Sequence, residues 1–275
     1  KKLNYSYQDG HQKPQVFLLK DSVHEPLSHH QVHPPVFPRP LMGDPVTNFP
    51  TGLIPARINI TGQHVQLEPL DPAKHTEALY QEGHSTEQGL KIWDYLAYGP
   101  WPDEEAYRAT LAQQAASFEP IFFAIRDLTT NQVCGQASFL DMNPINGVIE
   151  IGHIWFGPSL QKTRAATEAL FLMLSHAMDD LKYRRMEWRC NALNQGSRKA
   201  AARLGFRFEG IFFNHMIFKG KNRDTAWYSI LDNEWPEVRA IISQWLDNAN
   251  FDEQGLALSS LGELMHKRAN HRRVI

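Results

Sequence analysis

The stretch "WFGPSLQKTRAATEALFLML", residues 155–174, decides the fold of this chain. It reads as the end of an apolar strand, a Gly-Pro break, a short polar loop and an amphipathic helix that opens with small alanines. The first amides of such a helix have no partners inside the helix, so they need an acceptor from elsewhere. Because they lie at the positive end of the helix dipole, we expect this loop to bind phosphate groups.

Strand and helix patterns alternate along the chain before this loop. A first strand over about residues 63–69 leads to a helix opened by Asp71 and Pro72, and a second helix begins near "PDEEAYRATLAQQAASF". Three strands follow, "IFFAIRD", "VCGQASFLDM" and "VIEIGHIWF". Tight turns join them, so they predict an antiparallel meander.

After the loop, the helix runs over about residues 163–181 and is followed by a strand, "RMEWRCNA". A short helix ended by Gly205 comes next, and then two strands and a late helix: "FRFEGIFFNHMIF", "DTAWYSILD" and "EWPEVRAIISQWLDNA". Strand, helix, strand in the middle of the chain implies one parallel pair. The predicted fold class is α/β (α+β): a mixed, mostly antiparallel twisted sheet of about seven strands, flanked by helices.

The first 55 residues differ from the rest. They hold nine of the 17 prolines and five of the 13 histidines, without a lasting helix or strand period. The histidine cluster "SHHQVHPP" lacks the fixed spacing of metal ligands, so no metal site is predicted. We expect an arm over residues 1–55, a domain over residues 56–248 and a partly helical tail over residues 249–275. The arm is expected to lie on the domain surface or on the partner subunit of a homodimer.

Composition excludes several classes of protein. A net charge of -2 and a pI near 6.7 argue against a nucleic-acid partner, which needs an accumulated positive field. No apolar run reaches the length of a membrane span, so no membrane partner is expected. The two cysteines, Cys134 and Cys190, lie within predicted strands and form no CxxC pair. This usage favours a reducing compartment, and we expect a cytoplasmic protein.

Three motifs, in this order and spacing, resemble the GNAT superfamily of acyl-CoA N-acyltransferases, in its RimJ/RimL-like branch. They are "IEIGHIWF", the loop from Gln161 to Ala166, and "NALNQGSRKAAARLGF", and the likeness covers about residues 62–240. The family loop is usually [Q/R]xxGx[G/A], so Arg164 replaces a glycine. Arg164 either hinders close approach of the coenzyme diphosphate or adds a contact to it. P-loop and Rossmann signatures are absent from the sequence.

The resemblance implies acetyl-CoA as the cofactor and a splayed pair of strands, the fourth and fifth, which receive it. Asn194 falls where the family contacts pantetheine, and Ser197 falls where this branch offers a hydroxyl near the sulfur. Ala201 occupies the position of the tyrosine acid of many relatives. Ser197 is therefore the candidate proton donor, unless it only caps its helix. The implied coenzyme-binding residues are Ile154, Trp155, Phe156, Gln161, Lys162, Thr163, Arg164, Ala165, Ala166, Thr167, Asn194 and Ser197.

The base that accepts the proton of the attacking amine is expected on the fourth strand. Regular alternation puts Glu150 and Ile154 on one face and His153 and Trp155 on the other. Only one face meets the substrate, so either Glu150 or His153 is the candidate base. In the alternative interpretation Glu150 pairs with a cation of a neighbouring strand, and His153 is a hydrogen-bonded core residue.

The acceptor pocket is expected under "KIWDYLAYGPWP", whose aromatic residues are interpreted as a lid or as a satellite core. Such a lid suits a compact acceptor, so a small-molecule amine is predicted to attack the thioester directly. A protein N-terminus is the alternative acceptor. A non-catalytic acyl-CoA-binding module and a purely structural protein are the alternative functions. The candidate substrate-binding residues are Trp93, Tyr95, Tyr98, Trp101, Phe139 and His215.

Overall fold

Within the described residues, the sheet of this protein has eight strands in the order β1-β2-β3-β4-β5-β6-β8-β7. A computed structural model describes residues 45–47 and 49–272, so most of the predicted arm lies outside the described residues. The predicted fold class is confirmed, with one strand more than the expected seven. The strands are β1 (Ile60–Thr61), β2 (Val65–Pro69), β3 (Ile121–Asp127), β4 (Gln132–Asn143), β5 (Val148–Phe156), β6 (Arg185–Asn191), β7 (Arg207–Phe218) and β8 (Lys221–Leu231).

Side-chain caps start several of the helices where the sequence predicts them. Asp71 Oδ1 accepts the Ala73 amide at 2.9 Å, and Asp103 Oδ1 accepts the Ala106 amide at 2.8 Å. No helix among the described residues combines the length and apolar character needed to cross a bilayer. The helices are α1 (Pro72–His84), α2 (Glu87–Leu90), α3 (Glu104–Ala116), α4 (Arg164–Ser175), α5 (Gln195–Arg203), α6 (Trp235–Leu246) and α7 (Leu261–Arg272).

Two buried clusters cover the two faces of the sheet. Helices α4, α5, α6 and α7 bury their apolar sides with Ile149 and Ile151 of β5 in the larger cluster. Helices α1 and α3 and the short 3-10 helix Lys91–Tyr95 form the smaller cluster with Phe122 of β3 and Trp155 of β5. The sheet is thus a middle layer, and each β5 side chain belongs to one of two distinct environments.

Strands β5 and β6 form the parallel pair of the sheet. Only Val148–Glu150 pair with Arg185–Glu187, and the two strands separate beyond that point. The predicted splay is therefore present, and it opens a wedge between the C-terminal half of β5 and that of β6.

Candidate active site

A β-bulge in β5 shapes the wedge. Ser138 of β4 pairs with Gly152, and Gln136 pairs with Trp155, so β5 uses one more residue than β4 between these pairs. His153 lies in the bulge with a left-handed φ of 49°. Paired residues share a face, so Trp155 returns to the face of Gly152 and Glu150. The prediction from regular alternation was wrong, because the bulge breaks the alternation at His153.

The bulge brings His153 to the same side of the sheet as Glu150. The centre of its ring lies 5.1 Å from the ring centre of Phe122 and 5.6 Å from that of Tyr98, on which it stacks. Both contacts are on the side of the smaller cluster. The two candidate bases are thus neighbours in one site and not alternatives on opposite faces.

A cavity of about 770 Å³ fills the wedge. Its walls are the splayed halves of β5 and β6, the start of α5, residues 91–97 and the hairpin of β7 and β8. Eleven of the predicted site residues line it: Tyr95, Glu150, His153, Ile154, Trp155, Phe156, Gln161, Lys162, Asn194, Ser197 and His215.

Glu150 is 3% exposed and is bound by the guanidinium of Arg189 on β6. Arg189 also binds Asp141 at the rim. Burial raises the pKa of the Glu150 carboxyl well above its usual range, and the nearby Glu187 adds to this, whereas Arg189 and Arg223 favour ionisation. Glu150 therefore has both the cross-strand cation and the position in the cavity that the sequence offered as alternatives.

His153 is held as a neutral imidazole. Its Nδ1 lies 2.9 Å from the Tyr98 hydroxyl oxygen. Burial lowers the pKa of His153 to about 4, with a smaller contribution from the positive charge of Arg223. Burial also raises the pKa of Tyr98, so both partners are uncharged at neutral pH. Tyr98 holds the histidine and does not itself line the cavity.

Ser197 is not the cap of its helix. Asn194 is that cap, because its Oδ1 accepts the Ser197 amide at 3.0 Å. The indole of Trp188 donates to Ser197 Oγ at 3.0 Å, which leaves the hydroxyl proton available for donation. The hydroxyl therefore lies at the cavity wall in an orientation set by Trp188.

The loop before α4 carries open amides. Thr163 Oγ1 accepts the Ala166 amide at 3.1 Å and donates to the Leu160 carbonyl at 2.7 Å. Among the described residues, the amides of Lys162, Arg164 and Ala165 have no hydrogen-bond acceptor. The Gln161 side chain folds back to the Phe156 carbonyl at 2.9 Å. The helix start is thus capped at one amide and open at its neighbours, as an anion site requires.

The position of the Arg164 side chain contradicts the predicted contact between its guanidinium and a phosphate. Its guanidinium points away from the cavity and donates to the Leu246 carbonyl and, at 2.8 Å, to Asn248 Oδ1. It also lies 4.0 Å from the centre of the Phe251 ring. The physical reason is the C-terminal end of α6, whose unpaired carbonyls attract a cation.

The next three residues of α4 also turn their side chains away from the cavity. Ala165 and Ala166 belong to the larger core cluster. Thr167 is buried and accepts a hydrogen bond from Arg203 at 3.0 Å. These three side chains support α4 from behind, and only backbone groups at its start remain for a ligand.

The aromatic segment is partly core and partly wall. Trp93 is 1% exposed, donates to the Gly83 carbonyl at 2.8 Å and packs edge-on against Trp101 at 5.1 Å. Neither tryptophan lines the cavity, whereas Tyr95 is 40% exposed and does. Phe139 was predicted to line the cleft, but it is buried in the larger cluster on the opposite face of the sheet. Its position on β4, next to the face-sharing pair of Ser138 and Gly152, explains this.

Three further functional candidates were not among the predicted site residues. Arg189 and Arg223 line the cavity, and Lys219 Nζ donates to the Trp93 carbonyl at 2.7 Å. Three cations close together in this hairpin, Lys219, Lys221 and Arg223, are typical either of a solvated turn or of a surface that attracts an acidic substrate, and the sequence alone favours the turn. The register of β8, which aligns Trp227 with Arg189 and Thr225 with Asn191, places Arg189 and Arg223 on the Glu150 face, and no local pattern contains that register.

Comparisons with known proteins agree with this geometry. Residues 64–207 match the family described as Acetyltransferase (GNAT) domain. A GCN5-related N-acetyltransferase from Brucella melitensis is 40% identical, with a TM-score of 0.77 over 80% of this chain and 99% of that one. A protein from Chromobacterium violaceum, provisionally described as a GNAT-family acetyltransferase, is 37% identical, with a TM-score of 0.65 over 74% and 100% of the two chains.

A relative with a curated description comes from Bacillus subtilis. It carries the provisional name ribosomal N-acetyltransferase YdaF and is 26% identical over 177 residues, 63% of this chain and 94% of that protein.

Proposed function

Because this chain belongs to the GNAT family of acetyltransferases, we propose that it moves the acetyl group of acetyl-CoA to the primary amine of a small molecule. The acetyltransferase activity follows from the family. What we propose beyond the family is that acetyl-CoA is the donor and that a small-molecule primary amine is the acceptor.

The open loop supports acetyl-CoA as the donor. The unpaired amides of Lys162, Arg164 and Ala165 and the lysine side chain would hold a diphosphate, and the unpaired edges of β5 and β6 would hold a pantetheine arm. Asn194 borders the same channel. Bound acetyl-CoA supplies the acetyl group as a thioester.

The residues of the wedge would manage the protons of the reaction. A buried carboxylate with a raised pKa is suited to take a proton at neutral pH, so Glu150 would receive the proton of the amine. Ser197 Oγ would donate a proton toward the leaving sulfur. Neutral His153, fixed by Tyr98, would orient the acceptor without competing for that proton.

The main observation in favour of a small acceptor is that the 91–97 segment forms a roof over the cavity. Lys219 of the hairpin donates to the Trp93 carbonyl at 2.7 Å, and Tyr95 of the 91–97 segment reaches the Leu193 carbonyl at 3.4 Å. These bonds tie the segment to the hairpin and to the loop before α5. An extended polypeptide needs an open groove, whereas a tied roof suits a compact ligand.

A protein N-terminus is the second candidate acceptor. The name of the Bacillus subtilis relative refers to ribosomal N-acetyltransferases, and this favours such an acceptor. The exposed side chains of Phe212, Phe213 and Ile217 on β7 also provide apolar surface close to the hairpin.

The experiment combines calorimetric titration of acetyl-CoA with an assay for released thiol. Small primary amines and short peptides with free N-termini serve as acceptors. We expect coenzyme binding and faster thiol release with small amines. Release with peptides alone would favour the second candidate, and binding without release from any amine would contradict both.

A further inference from the structure

Arg223 lines the cavity, and the Glu150 carboxylate is near enough to stabilise its charge. In the part of the chain that the structure describes, its guanidinium has neither a hydrogen bond nor an ion pair, and its Nε is fully buried. The Phe218 ring lies 4.4 Å from the guanidinium carbon and holds the side chain in place. A half-buried cation without a hydrogen-bonded partner is costly, and a carboxylate of a ligand would remove that cost.

The acids around the cavity are already engaged. Glu150 and Asp141 are both bound by Arg189, and Asp94 of the 91–97 segment lies near Lys219 and stabilises its charge. Arg223 is thus the cation of this wall whose charge is not matched by a close ion pair among the described residues. Arginine also remains charged at neutral pH, even where burial lowers its pKa as it does here.

The neighbouring side chain on β8 adds a second donor. Thr225 is fully buried, and its hydroxyl lies 3.0 Å from Nδ1 of His215, which also lines the cavity. If the threonine donates to Nδ1, the other ring nitrogen of His215 carries the proton and can donate a hydrogen bond. Arg223 and His215 together can present N–H groups to one anionic group.

We propose that the acceptor is a primary amine that also carries a carboxylate, as an amino acid does, and that Arg223 binds this carboxylate. The inference rests on the proposed small-molecule acceptor and defines its chemical class. A guanidinium fork matches a carboxylate, whereas the corresponding carboxamide would leave the half-buried cation without a bound counter-charge. Arg223 is thereby a specificity-determining residue, distinct from the groups that move protons.

The test compares amino acids with the corresponding amino-acid amides as acceptors, by thiol release at saturating acetyl-CoA. Arg223→Gln should lower kcat/KM for the amino acids about tenfold to a hundredfold more than that for the amides, since the loss of its charge near Glu150 affects both acceptors alike. Comparing each acceptor with itself across variants cancels the different basicity of the two amines. Arg223→Lys should keep part of the preference.

Lys221→Gln is the matched control, since Lys221 is an exposed cation of the same hairpin that does not line the cavity. It should leave both sets of values unchanged. An equal loss for amino acids and amides in Arg223→Gln, or a preference of the native protein for amides that Arg223→Gln leaves unchanged, would overturn the inference while acetyl transfer stands. Bound coenzyme without thiol release from any amine would instead overturn the proposed function.

Discussion

The two ends of the cavity are built from different chemistry. At the loop before α4, the groups that can hold a ligand are backbone amides, set in place by Ala165 and Ala166 in the core. At the roof, the corresponding group is the side chain of Arg223, which is half-buried, and the exposed Lys219 ties the roof to the hairpin. Backbone amides stay in place as long as the helix does, so we expect the loop end to tolerate substitutions that introduce no negative charge. The roof end should change specificity with single residues.

Glu150 lies between the two ends, and its substitution gives the largest expected effect. Glu150→Gln removes the candidate base while keeping the shape of the side chain. Turnover should fall about 10²-fold to 10⁴-fold, with coenzyme affinity within about twofold. Initial rates of thiol release and calorimetric titration measure the two quantities.

Glu187→Gln is the control for this substitution, because Glu187 lies opposite Glu150 in the register of β5 and β6 but does not line the cavity. It should keep most of the native turnover and move its pH profile toward lower pH, because the loss of the Glu187 charge lowers the pKa of Glu150. A native rate for Glu150→Gln would remove Glu150 from the reaction, and an equal loss in both variants would indicate a structural role of the charge cluster.

His153 gives the next largest effect, on stability. Its ordinary pKa is 6.5 and burial lowers it to about 4, so between these values the unfolded chain binds a proton that the folded chain does not. Stability is therefore full above pH 6.5 and falls as pH drops toward 4, by about 3 kcal/mol for this group.

His153→Asn should abolish this loss, because asparagine does not titrate. The variant should keep the fold, since asparagine tolerates the left-handed φ of 49°. Urea unfolding at pH 7, 5.5 and 4 measures the difference from the native protein. His266→Asn, at an exposed position of α7, should retain the native pH dependence. If His153→Asn lost as much stability on acidification as the native chain, burial of the imidazole would not be the cause.

The contrast between the ends also explains what the sequence could reveal. Strand and helix periods located the parallel pair and the loop, because these features are local and rest on hydrophobic pattern. The bulge at His153 inserts one residue into a regular pattern. The guanidinium of Arg164 donates to the Leu246 carbonyl, which is 82 positions away in sequence. Arg223 depends on the register of β8 against β6. Such long-range pairings leave no trace in local periodicity.

The loop end is tested by charge. Gln161→Glu places a carboxylate beside the unpaired amides, where it should repel a diphosphate and raise the Kd of acetyl-CoA about tenfold, or about 1.4 kcal/mol. Arg164→Gln is the informative partner, since the guanidinium binds the end of α6. It should lower the unfolding midpoint and leave the Kd within about twofold. A loss of affinity equal to that of Gln161→Glu would mean that Arg164 reaches the ligand.

The roof latch carries the smallest expected effect. Lys219→Met removes the hydrogen bond to the Trp93 carbonyl, and exposed charged contacts contribute at most about 1 kcal/mol. The KM of the acceptor should rise about twofold to fivefold, with kcat and coenzyme affinity unchanged, because the latch closes one end only. Lys221→Met should leave all three constants unchanged. If Lys219→Met weakened coenzyme binding as well, the two ends would be coupled through the 91–97 segment, and the loop end would not be independent of its side-chain surroundings.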